Sequence, residues 1–280
     1  MRTPRLRAAT AAAASLSLLA LAALAPASDA AARQPVRLTA ALSTGAQLGG
    51  SSPLRIGLHV NPRLKASPVT AIELRYPASL GITTSGLGIA ACHHTQAQFD
   101  NVVVDYGTGL IDCPRNAVIA TGEAAGAIHN SDDGAELSRE VGSITVLSGP
   151  IRDGHLGLVT LVTGWHPVGA ELVYAGQIAP APAPYGGALS ITLPPLPAGY
   201  GAQVALLDLD LTLGGRNIVY TRRAGGRTIA YHPDGIALPE RCPTAGFRFA
   251  ATFTFADGSR NSDTARARCP TPGGRLSRRR

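Results

Sequence analysis

The chain has 280 residues, 45% of them hydrophobic but only 5% aromatic, and a formal charge of +7. That charge sits at the ends: residues 1–30 carry +2 and residues 271–280 carry +4, which leaves +1 for residues 31–270. A nearly neutral body offers no broad basic surface to a phosphate backbone, so composition argues against nucleic-acid binding.

Residues 1–30 read as a secretory signal peptide. Arg2, Arg5 and Arg7 precede an apolar run from Ala8 to Ala25, and small residues follow at Ser28, Ala30 and Ala32. Cleavage after Ala30 or Ala32 starts the mature chain at Ala31 or Arg33. The run is mostly alanine and contains Thr10, Ser15 and Ser17, which makes it a weak membrane anchor. No later stretch is long, charge-free and strongly apolar, so no transmembrane segment is expected in the mature chain. The expected destination is the cell envelope or the extracellular space.

Strand patterns dominate from there on. Short β-branched or alternating runs appear in order as VRLTAALST, LRIGLHV, VTAIELRYP, NAVIATGEA, GSITVLS, LGLVTLVTG, AELVYAGQI, ALSITLP, QVALLDLDLTL, NIVYTRR and FRFAATFTFADGS. Runs of this length, cut by Gly, Pro, Asn and Asp, predict an all-β fold of one or two antiparallel β-sandwiches. HHTQAQFDN, directly after Cys92, predicts one short helix. Gly149-Pro150 and Asp153-Gly154 interrupt the pattern and suggest an N-terminal β-rich half over 33–150 and a C-terminal β-rich half over 151–270. Residues 271–280 lack periodicity and read as a disordered basic tail.

Cys92-His93-His94 is the most reactive-looking cluster. A zinc or copper site needs three or four ligands at spacings that let them converge, and three adjacent residues do not easily converge. A nucleophilic cysteine normally takes its histidine from a distant part of the chain. Four cysteines in an exported chain are read first as two disulfides. Local pairing joins Cys92 to Cys113 and Cys242 to Cys269, with Cys-Pro standing just before a strand in both DCPRNAVIATGEA and RCPTAGFRFAATF. His93 and His94 are then expected to face solvent.

Other constellations yield to plainer readings. With Gly134 at the sixth position of a calcium loop, Glu140 falls at the twelfth, but His129 and Ser131 stand where carboxylates belong, so a polar hairpin turn at Asp133-Gly134 is expected. Asp208 and Asp210 share one strand face while Leu207, Leu209 and Leu211 share the other. Two carboxylates about 7 Å apart suit a glycosidase in principle, yet an amphipathic strand with its polar face in water explains them without further assumptions. His166 and His232 each precede proline in turn-like contexts. Gly-x-Ser-x-Gly and His-Glu-x-x-His do not occur, and no metal or cofactor is expected.

The runs IELRYPASLGITTSGLGIAACHHTQ and DCPRNAVIATGEA resemble a family of secreted β-proteins of high-GC actinobacteria. Leu74, Pro77, Gly81, Leu87, Cys92, Cys113, Pro114, Thr121 and Gly122 carry the resemblance, and RCPTAGFRFAATFTFADGS resembles that family's closing segment. The resemblance implies an exported β-protein with local disulfides and points to no activity. The expected function is a non-catalytic exported protein acting by surface contacts, its basic tail resting weakly on anionic wall polymer or lipid. The alternatives are a secreted polysaccharide or ester hydrolase with dispersed catalytic residues, or a carbohydrate-binding module. Trp165, the single tryptophan, makes the module a poor fit.

Overall fold

The computed structural model describes residues 35–93, 113–193 and 202–270, apart from positions 66, 83, 131, 133 and 167–169. By contacts the chain divides after Arg33, and all the described residues belong to the unit Gln34–Arg280. The expected signal peptide, the basic tail and, apart from His93, the short helix after Cys92 lie outside the described residues.

Fifteen strands are described: β1 (Val36–Leu42), β2 (Ser51–Ser52), β3 (Leu54–Val60), β4 (Val69–Pro77), β5 (Val118–Asn130), β6 (Glu136–Arg152), β7 (His155–His166), β8 (Ala170–Ala179), β9 (Tyr185–Thr192), β10 (Ala202–Leu213), β11 (Tyr220–Ala224), β12 (Arg227–Tyr231), β13 (Ile236–Ala237), β14 (Phe247–Phe255) and β15 (Arg260–Ala267). The all-β antiparallel class expected from the sequence is the one observed. Eleven strands form one sheet in the order β1-β3-β10-β5-β6-β7-β8-β9-β4-β14-β15, and β11–β12 and β2–β13 form two small ribbons. The boundary expected at residue 150 falls inside β6. Strands from either side of it alternate in the sheet, with β10 between β3 and β5 and β4 between β9 and β14.

The two edges of the sheet meet. β15 runs beside β1, and the Leu38 N–H donates to Asp263 Oδ2 at 2.8 Å. A carboxylate thus stands in for a ladder bond at the seam, and the sheet is nearly closed, which hides two long edges from other chains. Bulges at Leu206/Asp208, Ser148/Ile151 and Tyr76/Pro77 add the local twist that such curvature needs.

Period-two patterning explains what the sheet encloses. In β14 Phe247, Phe249, Ala251, Phe253 and Phe255 are buried, while the residues between them are partly or fully exposed. Burying each Phe stabilises the fold by about 2–3 kcal/mol, and four of the five phenylalanines lie on this one strand. β3 shows the same alternation, with Leu54, Ile56, Leu58 and Val60 inside. Its register sets Leu58 against Leu209, Ile56 against Leu211 and Leu54 against Leu213. A second, smaller cluster forms around Cys92, Ala117, Leu147 and Val159, with Cys113 and Val173 against it.

One end is fastened by the chain's single lysine. Lys65 Nζ pairs with Asp257 and lies 5.0 Å from the centre of the Phe255 ring. Asp257 Oδ1 also accepts from the Ser259 hydroxyl at 2.7 Å and from its N–H at 3.0 Å. These bonds, the one to Lys65 first, hold the Asp257 carboxyl down at about 2.

Candidate functional site

The cysteine cluster is a crosslink. Cys92 and Cys113 are disulfide-bonded with Cα atoms 4.7 Å apart, and Cys242 and Cys269 with Cα atoms 6.0 Å apart, both within the span a disulfide bridges. Cys92 is fully buried, and its N–H donates to the Ser148 carbonyl at 2.8 Å. The buried Ser148 hydroxyl reaches back to the carbonyls of Gly88 and Ala90. His93 faces solvent, and His94 lies outside the described residues. Among the described residues no three His, Cys, Asp or Glu side chains are gathered to hold a metal ion. The second disulfide ties the approach to β14 to the residues just after β15, and so closes the open end of that hairpin.

Asp208 and Asp210 stand on the exposed face of β10, with Leu207 and Leu209 buried on the other. Each carboxylate meets a cation or imidazole across the strand pair with β3. Asp210 Oδ1 accepts from Arg55 at 3.2 Å, and Asp208 Oδ1 lies 2.6 Å from His59 Nδ1. All four side chains are half exposed or more. Pairs on an open sheet face contribute about 0–1 kcal/mol each. Neither carboxylate is enclosed with the other as a general acid and nucleophile must be around a glycosidic oxygen.

The residues spaced like a calcium loop span the turn between β5 and β6. The Asn130 N–H donates to the Ala135 carbonyl at 2.8 Å and the Gly134 N–H to the Asn130 carbonyl at 2.9 Å. Gly134 has φ +71°, as a tight hairpin needs, while Glu140 lies up β6 in register with Gly126. Ser131 and Asp133 lie outside the described residues. His232 has a structural partner, its Nδ1 standing 2.8 Å from the Ile218 carbonyl. Trp165 and His166 end β7, and their side chains lie outside the described set.

The feature the sequence reading passed over is the β11–β12 ribbon. Net charge per region hid it, because the arginines of residues 216–227 are offset by carboxylates elsewhere in the body. Counting charge in a short window would have found it. Tyr220 roots the ribbon: fully buried, it accepts the Gly88 N–H at 2.7 Å and donates to the Val118 carbonyl. The Asn116 side chain pairs with Thr221 like a strand neighbour, donating to its carbonyl at 2.8 Å and accepting its N–H at 2.9 Å. Tyr231 packs edge-on against Tyr220 at 5.7 Å. Beyond this root all ten residues from Thr221 to Ala230 are exposed.

No protein-family model, curated protein or solved structure matches the chain.

Proposed function

We propose that the protein is exported through a cleaved signal peptide and acts without catalysis, by surface contacts in the cell envelope or outside the cell. The observation that carries this reading is the pair of local disulfides, Cys92–Cys113 and Cys242–Cys269, since such bonds persist in oxidising compartments. The leader pattern of residues 1–30 and the resemblance to secreted actinobacterial β-proteins support the same destination. Surface action is supported by the open, cross-paired face on which Asp208 and Asp210 lie, where a hydrolase needs its carboxylates converging on one enclosed point. The +4 tail over residues 271–280 adds a weak electrostatic hold on anionic wall polymer or lipid, screened over about 8 Å at physiological salt.

Fractionating the source cells tests this. The protein should appear in the wall or medium with Ala31 or Arg33 at its N-terminus, and a salt wash should release the wall-held part. Recovery in the cytoplasm with Met1 retained would sink the reading.

A further inference from the structure

Residues 214–231 contain Arg216, Arg222, Arg223 and Arg227 and no carboxylate, a local charge of +4 in a body whose sum is +1. All four are exposed, and among the described residues none of them has a carboxylate partner. A two-stranded ribbon exposed on both faces buries too little to be stable alone. This one is held out by its root at Tyr220, Asn116 and His232, and turned at its tip by Gly225 and Gly226, both at positive φ. The fold therefore keeps like charges together on a fixed projection, against their mutual repulsion, with no paired carboxylate among the described residues to offset it.

We propose that the β11–β12 ribbon is a binding element for a linear phosphate polymer outside the cell. This rests on the reading of the protein as exported and acting by surface contact. The register Arg222↔Ile229 and Ala224↔Arg227 makes Arg222 and Arg227 diagonal neighbours on one face, with side-chain origins about 7 Å apart. Arg222 lies over the Tyr231 ring, 5.6 Å from its centre, which orients its guanidinium before any ligand arrives. On the opposite face Arg223 stands across from the hydroxyl-bearing Thr228, with Thr221 two residues before it on the same strand and face. Guanidinium forks match phosphate oxygens two at a time, and spaced forks match a chain of phosphates better than one ion. A bilayer is the poorer fit. The tip is Ala224-Gly225-Gly226, with no bulky apolar side chain to insert, and Ile229 is the ribbon's one exposed large aliphatic.

The test is titration of the purified protein with long-chain inorganic polyphosphate, beside vesicles of phosphatidylcholine and phosphatidylglycerol. Three proteins are compared: the unaltered chain, the variant Arg222→Gln/Arg223→Gln/Arg227→Gln, and a chain ending at residue 270. The triple variant should bind polyphosphate about tenfold more weakly or worse, and the slope of log K against log salt should fall by about 2, at roughly 0.7 per lost charge. Its Tm should stay unchanged; if it does not, Arg227→Gln beside the tip replaces it and should still weaken binding. The chain ending at residue 270 should keep most of its affinity. Binding by the triple variant within about twofold of the unaltered chain overturns the ribbon. If the tail deletion alone abolishes binding, the ribbon fails while the surface-contact reading stands. Binding to vesicles but not to polyphosphate overturns the proposal in favour of a lipid surface. Binding to neither overturns it together with the anionic-surface reading of the tail.

Discussion

Tyr220→Phe removes one oxygen atom from a fully buried ring and leaves the ring's packing in place. That oxygen accepts the Gly88 N–H and donates to the Val118 carbonyl, so its loss orphans one donor and one acceptor with no new cavity. An unsatisfied buried polar group costs about 1–3 kcal/mol. Gly88 and Val118 are only partly buried, which sets each at the lower end and the sum at about 2 kcal/mol. For a chain of this size that lowers Tm by about 4–8 °C, readable by circular dichroism at the sheet band. The local signature is more telling: the Gly88 amide should exchange with solvent faster in the variant than amides of β14, which lie in the core. Asn116→Ala loosens the same ribbon root, so the double variant should lose less than the sum of the two single losses. A Tm within about 1 °C of the unaltered protein would refute the claim that this hydroxyl ties the Gly88 loop to the ribbon and to β5.

Peptide mapping without reductant should join Cys92 to Cys113 and Cys242 to Cys269 with no peptide across the two pairs, and replacing both cysteines of either pair by Ala should cost about 3 kcal/mol in a denaturant titration. The Asp257 carboxyl, held at about 2 against 3.8 for an ordinary one, contributes stability that is present above the ordinary value and lost as pH falls through about 2; Lys65→Met should raise its titration midpoint by NMR and move acid unfolding to higher pH. Gly235→Ala places a Cβ 2.2 Å from the Ser52 carbonyl oxygen at φ +112° and should cost about 3 kcal/mol or more, whereas Gly45→Ala meets nothing within 4 Å and should leave Tm nearly unchanged.

The amino-acid sequence by itself determines the strands and the local crosslinks. Alternation in FRFAATFTF settles which side of β14 is buried, because successive side chains of a strand point to opposite faces whatever lies beside them. The same local rule placed Asp208 and Asp210 together on the exposed face, and the chain proximity of each cysteine pair favoured the bridges that are observed. Which strands become neighbours is not a local property. β10 lies between β3 and β5 because Leu209, Leu211 and Leu213 find Leu58, Ile56 and Leu54 on one side and the small Ala124, Gly122 and Ala120 on the other. That match is between segments about 80 to 160 residues apart, and no periodicity within either reveals it. The break expected near residue 150 rests on Gly-Pro and Asp-Gly, which mark turns and bulges equally well; Gly149-Pro150 sits at a bulge inside β6, and Asp153-Gly154 forms the turn into β7. The ribbon shows the same division. NIVYTRR is legible as a strand, but only the tertiary structure decided that Tyr220 is buried as its root while Thr221–Ala230 stand clear of the sheet, because exposure depends on what the rest of the chain leaves uncovered.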